Sequence, residues 1–94
     1  MFVLVLDVEL HIPASHSLKA KRSVVKHLVE TSRSRFRVAS AEVGHQDTWQ
    51  RCRLGFAAVG DSANHVGDVI DEVERFVWSN PEVEVLSVDR RWME

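Results

Sequence analysis

A chain of 94 residues, 45% hydrophobic and 28% charged, has room for one modest core and shows no compositional sign of disorder. Its net charge of −2 hides a split: Ser15 to Arg53 carries nine Lys and Arg against three Asp and Glu, and Asp61 to Glu94 carries three against nine. A lone Cys52 excludes an intramolecular disulfide, and the longest apolar run, FVLVL, is too short to span a bilayer. A soluble cytoplasmic protein with no membrane partner is therefore expected.

Phe2 to Ile12 alternates strictly, with Phe2, Leu4, Leu6, Val8, Leu10 and Ile12 on one face. That period of two predicts a long half-buried strand. Pro13 ends it, and Ser15 or Ser17 can cap a helix. From Leu18 to about Phe36 the stripe Leu18, Val25, Leu28, Val29, Ser32 and Phe36 has helical spacing. Arg37 to Val43 reads as a second strand. Arg51 to Val59 reads as a third, with Cys52, Leu54, Phe56 and Ala58 on its apolar phase. Asp61 or Ser62 then caps a second helix running to about Ser79, its core stripe being Val66, Val69, Ile70, Val73, Phe76 and Val77. EVEVLSVDRRWM is a last strand whose phase the pattern leaves open, because Val85 and Leu86 are adjacent. The role of its Arg90-Arg91-Trp92 segment is open as well.

The order β-α-β-β-α-β with right-handed crossovers predicts one ferredoxin-like α+β domain over 1–94. Its antiparallel sheet has order 4-1-3-2, with both helices on one face. Leu4, Leu6, Val8, Leu54 and Phe56 should lie beneath the helices. Val3, Val5, Asp7, Glu9, His11, Arg51, Arg53, Ala57 and Val59 should lie on the open face, with Glu9/Arg51 and Asp7/Arg53 as cross-strand ion pairs.

This topology gathers His11, His16, Lys19, Arg22, His45, Asp47 and Arg51 at the end where the hairpin between strands two and three turns. The histidines lack ligand spacing and a cysteine partner, so no metal is expected. His45 with Asp47 could supply a base and its orienting carboxylate, but no nucleophile stands beside them. An enzyme is the least favoured class, with no catalytic residue and no cofactor assigned. Cys52 falls on the helix-facing phase and is expected to be inert. The open face has no aromatics for stacking bases, which excludes that mode of RNA binding. A different mode remains. At 100° per residue, Lys19, Arg22, Lys26, Arg33 and Arg37 fall within about 60° of arc, a stripe that can track phosphates unless the acidic second helix neutralises it.

The run SLKAKRSVVKHLVETSRSRFRVASAEVGHQDTWQRCRLGFAAV resembles the corresponding run of the YlxP-like family, small bacterial proteins of unknown function. SLKAKR and AEVGHQDTWQR are its most specific pieces, and the final DRRWME has no counterpart in the pattern. The resemblance implies a ferredoxin-like fold. The family's genes often sit among those for translation initiation and ribosome maturation, which implies a link to RNA or the ribosome. It supplies no catalytic residues. In AEVGHQDTWQRC, Gly44 is expected to supply the permissive backbone of the turn, Asp47 or Thr48 to bond neighbouring amides, and Trp49 to pack over the hairpin.

The expected function is a non-enzymatic binding module whose contacts are Lys19, Lys21, Arg22, Lys26, His45 and Arg51. RNA or the ribosome is the expected partner. The alternative is a self-associating module that forms a weak homodimer.

Overall fold

In the computed structural model, which describes residues 1–93, the chain runs β1 (Phe2–His11), α1 (Leu18–Phe36), β2 (Ala39–Gly44), β3 (Arg51–Gly60), α2 (Ala63–Trp78) and β4 (Glu84–Met93). The four strands form one antiparallel sheet of order β2-β3-β1-β4, the 4-1-3-2 arrangement with both crossovers made by helices. The fold is ferredoxin-like.

Period-two burial in β1 and β3 decides which face the helices cover. Leu4, Leu6, Val8, Leu10, Cys52, Leu54 and Phe56 are buried beneath them. From above, Val25, Leu28 and Val29 of α1 and Val66, Ile70, Val73 and Val77 of α2 close the core. Val69, Phe36 and Phe76, expected inside, pack against its margin. Each fully buried aliphatic of this set contributes about 2 kcal/mol relative to exposure, so the seam between helices and sheet carries most of the fold's stability.

Local chemistry sets the element ends. Ser17 caps α1, its Oγ accepting from the Ala20 N–H at 3.0 Å, and Ser62 caps α2 by accepting from the His65 N–H at 3.3 Å. Helix α1 stops at Arg37, whose φ of 57° is left-handed and whose N–H donates to the Arg33 carbonyl at 3.1 Å. Strand β2 therefore starts at Ala39, two residues later than the pattern suggests. Gly60 leaves α2 room to sit on the sheet, since a Cβ there would lie 2.9 Å from Val66 Cγ2.

The open phase of β4 has a physical reason. Its register against β1 shifts between Glu9/Ser87 and Leu10/Val85, so Leu86 is the extra residue of a bulge. Val85 and Val88 consequently both pack against the core, while Leu86 is exposed.

Candidate binding surfaces at the first helix and the hairpin

The first turns of α1 and the β2–β3 hairpin are joined by a buried lysine. Lys21 is only 1% exposed. Its Nζ lies 2.9 Å from Glu42 Oε2 of β2 and also donates to the His45 carbonyl. An ammonium inside a protein persists only when its charge is paired and hydrogen-bonded; here Glu42 supplies the counter-charge and the His45 carbonyl accepts the hydrogen bond. Lys21, expected among the contacting cations, is thus a structural residue and cannot reach a phosphate.

Around it the α1–β2 seam is polar. Ser32 donates to Ser40 Oγ at 3.0 Å, and Ser40 donates to the Val29 carbonyl at 3.0 Å. Arg33 donates through Nη2 and Nε to the Ser40 carbonyl at 2.6 and 3.2 Å. Burial pushes the Cys52 thiol up to about 12, and the Glu42 carboxylate acts in the same direction. Cys52 is a core residue without thiolate character.

The turn itself is built differently from expectation. No glycine has positive φ; the left-handed residue is His45, at 62°. A non-glycine residue in that region is uncommon and has to be held there. The His45 carbonyl accepts from the Thr48 N–H at 3.1 Å and from Lys21, and its Nε2 lies 3.0 Å from Glu9 Oε2. Gln50 adds a further tie, its Nε2 donating to the Pro13 and Ser15 carbonyls at 3.1 and 3.2 Å. Trp49, expected to pack over the hairpin, is 53% exposed.

On the open face the charges pair diagonally across β1 and β3. Arg53 bonds Asp7 through Nε at 2.9 Å and Nη2 at 2.5 Å, and Arg51 Nη2 lies 3.4 Å from Glu9. The Arg53 guanidinium bonded to Asp7 holds that carboxyl below its usual range. His11 Nδ1 pairs with Glu84 of β4 at 3.2 Å. His11 and His45 thus take different carboxylates, and no group of three or more potential ligands that could hold a metal occurs among the described residues. Asp47 bonds neither His45 nor any other side chain among the described residues.

The six expected contacts therefore do not converge on one surface. Lys19, Arg22 and Lys26 are exposed on α1, on the helical flank that continues to Arg33 and β2. His45 and Arg51 lean the other way, toward Glu9 on the open face. No carboxylate lies within 4.0 Å of Lys19, Arg22 or Lys26 among the described residues. Two of the acidic residues of α2 are engaged elsewhere: Asp71 and Glu74 are held by Arg90 of β4, at 2.8 and 2.9 Å. Sequence reasoning missed Lys21, Ser40, Gln50 and Arg90 as organising residues. For Lys21 a signal existed, because it stands three residues before Val24 and seven before Leu28.

No helix among the described residues is long and apolar enough to cross a membrane. A ferredoxin-like domain with an ion-paired open face and a free basic flank is the class that fold and surface define. Residues 3–90 match the family described as "Protein of unknown function (DUF503)", and the chain belongs to that family. It is 38% identical over 76 residues to the uncharacterized protein YlxP of Bacillus subtilis (strain 168), covering 81% of this chain and 83% of that one. Among solved structures, the de novo designed protein Foldit4 superposes with a TM-score of 0.57 over 100% of this chain and 98% of its own, at 12% identity. That likeness concerns the fold alone.

Proposed function

We propose that the protein is a non-enzymatic, cytoplasmic binding module that contacts structured RNA through Lys19, Arg22 and Lys26. The observation that carries this reading is that these three cations stand exposed on one helical flank without a carboxylate within 4.0 Å among the described residues. A duplex phosphate backbone is the polyanion such a flank fits, because neutralising its charges releases condensed counterions. The hairpin lies beside this flank, anchored by Lys21, and its exposed tip from Gln46 to Trp49 would supply the shorter-range contacts.

Fluorescence anisotropy with a labelled RNA hairpin tests this. The logarithm of affinity should fall against the logarithm of salt with a slope of about −2 to −3 for three phosphate contacts. Lys19→Glu combined with Arg22→Glu should weaken binding at least tenfold and flatten that slope, with an unchanged circular dichroism spectrum. Salt-independent binding, or full affinity in the double variant, would overturn the reading.

A second reading, self-association, is favoured by a separate feature. Most charges of the open face pair among themselves at the hairpin end, leaving Val3, Val5, Ala57, Val59 and Met93 as a largely apolar half at the other end, bordered by Arg91 of β4 beside Val5.

A further inference from the structure

The crease between the end of α1 and the outer side of α2 holds two adjoining recesses, of about 390 and 360 Å³. Both are lined by Arg35, Phe36 and Glu72. The first continues along α2 past Arg75 and Phe76, and the second runs toward Arg37 and His65. Each is of the size that small ligands occupy.

Its chemistry is two-sided. Phe36 and Phe76 form an aromatic floor, with centroids 5.7 Å apart and planes inclined at 59°. The Arg35 guanidinium lies over the Phe36 ring, 5.0 Å from its centroid. Arg35, Arg37 and Arg75 surround this floor with no carboxylate within 4.0 Å among the described residues, although Glu72 stands on the same groove. Basic residues at a helix C-terminus are ordinary, since they complement the dipole. Arg33 fits that account and also bonds the Ser40 carbonyl. The dipole does not explain why the next two arginines border an aromatic cleft shared with a second helix.

We propose that this groove binds a phosphorylated nucleoside. The phosphate would lie between Arg35, Arg37 and His65, where planar guanidinium forks suit phosphate oxygens. The base would lie against Phe36 and Phe76, since a base stacks on aromatic faces whatever its identity. Glu72, common to both recesses, is placed to accept from the sugar hydroxyls and would oppose a polyphosphate drawn along the same wall. The ligand is therefore a monophosphate, either free or as the 5′-terminal nucleotide of an RNA. The site is separate from Lys19, Arg22 and Lys26, so it can stand or fall independently of them.

Titration of the ¹⁵N-labelled protein with AMP, GMP, CMP and UMP, followed by amide shifts, tests the proposal. Saturable shifts should appear at residues 35–37, 65–69 and 72–79, with Kd of roughly 10 µM to 1 mM. Inorganic phosphate and the unphosphorylated nucleosides should each bind at least about tenfold more weakly, because each engages half of the site. Arg37→Gly is an informative variant: the backbone there is left-handed, so glycine keeps the fold while removing the guanidinium. It and Arg35→Ala should each weaken nucleotide binding about fivefold or more, and Phe76→Leu about threefold. Lys19→Glu with Arg22→Glu should leave nucleotide affinity within about twofold, which separates this site from the RNA flank. A 5′-phosphorylated RNA tetramer that outcompetes the mononucleotide would identify an RNA end as the source, and the reverse order a free nucleotide. No saturable shift at about 10 mM nucleotide, equal binding of phosphate alone, or full affinity in Arg37→Gly and Arg35→Ala would overturn the proposal.

Discussion

A lysine held at 1% exposure loses nearly all its hydration, and Lys21 recovers that loss only through Glu42 and the His45 carbonyl. Removing one partner is then worse than removing both. Lys21→Ala should lower stability by about 3 kcal/mol, because Glu42 would be left half-buried without its counter-charge. Lys21→Met with Glu42→Leu should recover most of that loss, by replacing a desolvated pair with apolar contact. Urea denaturation of both variants measures the difference; a cost below about 1 kcal/mol for Lys21→Ala would mean the pair does not hold the hairpin. This residue also shows where the sequence could be read and where it misled. Its helical position was that of a core residue, three before Val24, but its charge suggested solvent. Only its partner resolves the conflict, and Glu42 is distant in sequence, on a strand whose helix-facing phase of Ser40 and Glu42 has no apolar alternation. His45 is the same kind of case: the left-handed turn residue follows the glycine that the sequence favoured, and long-range bonds hold it there.

The elements themselves were legible because each depends on local pattern. Strict alternation gave β1 and β3, and serine caps followed by helical stripes gave α1 and α2 to within a residue or two. The errors fall where a single backbone irregularity intervenes. Arg37 closes α1 by turning left-handed and delays β2, and the bulge at Leu86 removes the period on which the phase of β4 depended. The caps differ in quality, which orders their contributions. Ser17→Ala removes a 3.0 Å bond and should cost about 1 kcal/mol, lowering the melting temperature by roughly 5 °C. Ser62→Ala removes a 3.3 Å bond and should cost less. Equal shifts in thermal melts followed by circular dichroism would show that cap geometry does not set the contribution. Because Ser17 starts the helix that carries Lys19, Arg22 and Lys26, its variant should weaken RNA binding only as far as it unravels that first turn.

At the scale of the whole molecule the charge split does not cancel across the two halves. Asp71 and Glu74 are taken by Arg90 from within their own half, while Lys19, Arg22 and Lys26 of α1 have no carboxylate within 4.0 Å among the described residues, so the molecule presents separate basic and ion-paired surfaces. The open face is divided in a similar way. Its paired half, from Asp7 to His11 and Arg51 to Arg53, gains little from a partner, because a second copy would have to desolvate bonds already made. Its other half, around Val3, Val5, Ala57 and Val59, gains by burial, with Arg91 as the charge at its β4 border. A two-fold axis through that half would lay each apolar patch on its copy and keep the Asp7–Arg53 and Glu9–Arg51 pairs outside the contact, with Arg91 at its rim. The patch is small, and Ala57 and the valines bury little area each, so the dimer should be weak, with Kd of about 10⁻⁴ M. Val5 faces Ala57 across β1 and β3 near the middle of this patch. Val5→Lys places a charge on the contact without touching the core side of the sheet, and sedimentation equilibrium should show it monomeric at concentrations where the wild-type chain dimerises. Arg51→Ala, on the paired half, should leave the dimer constant within about twofold. A wild-type chain that stays monomeric at about 1 mM would exclude self-association through this face and leave its valines as solvated surface.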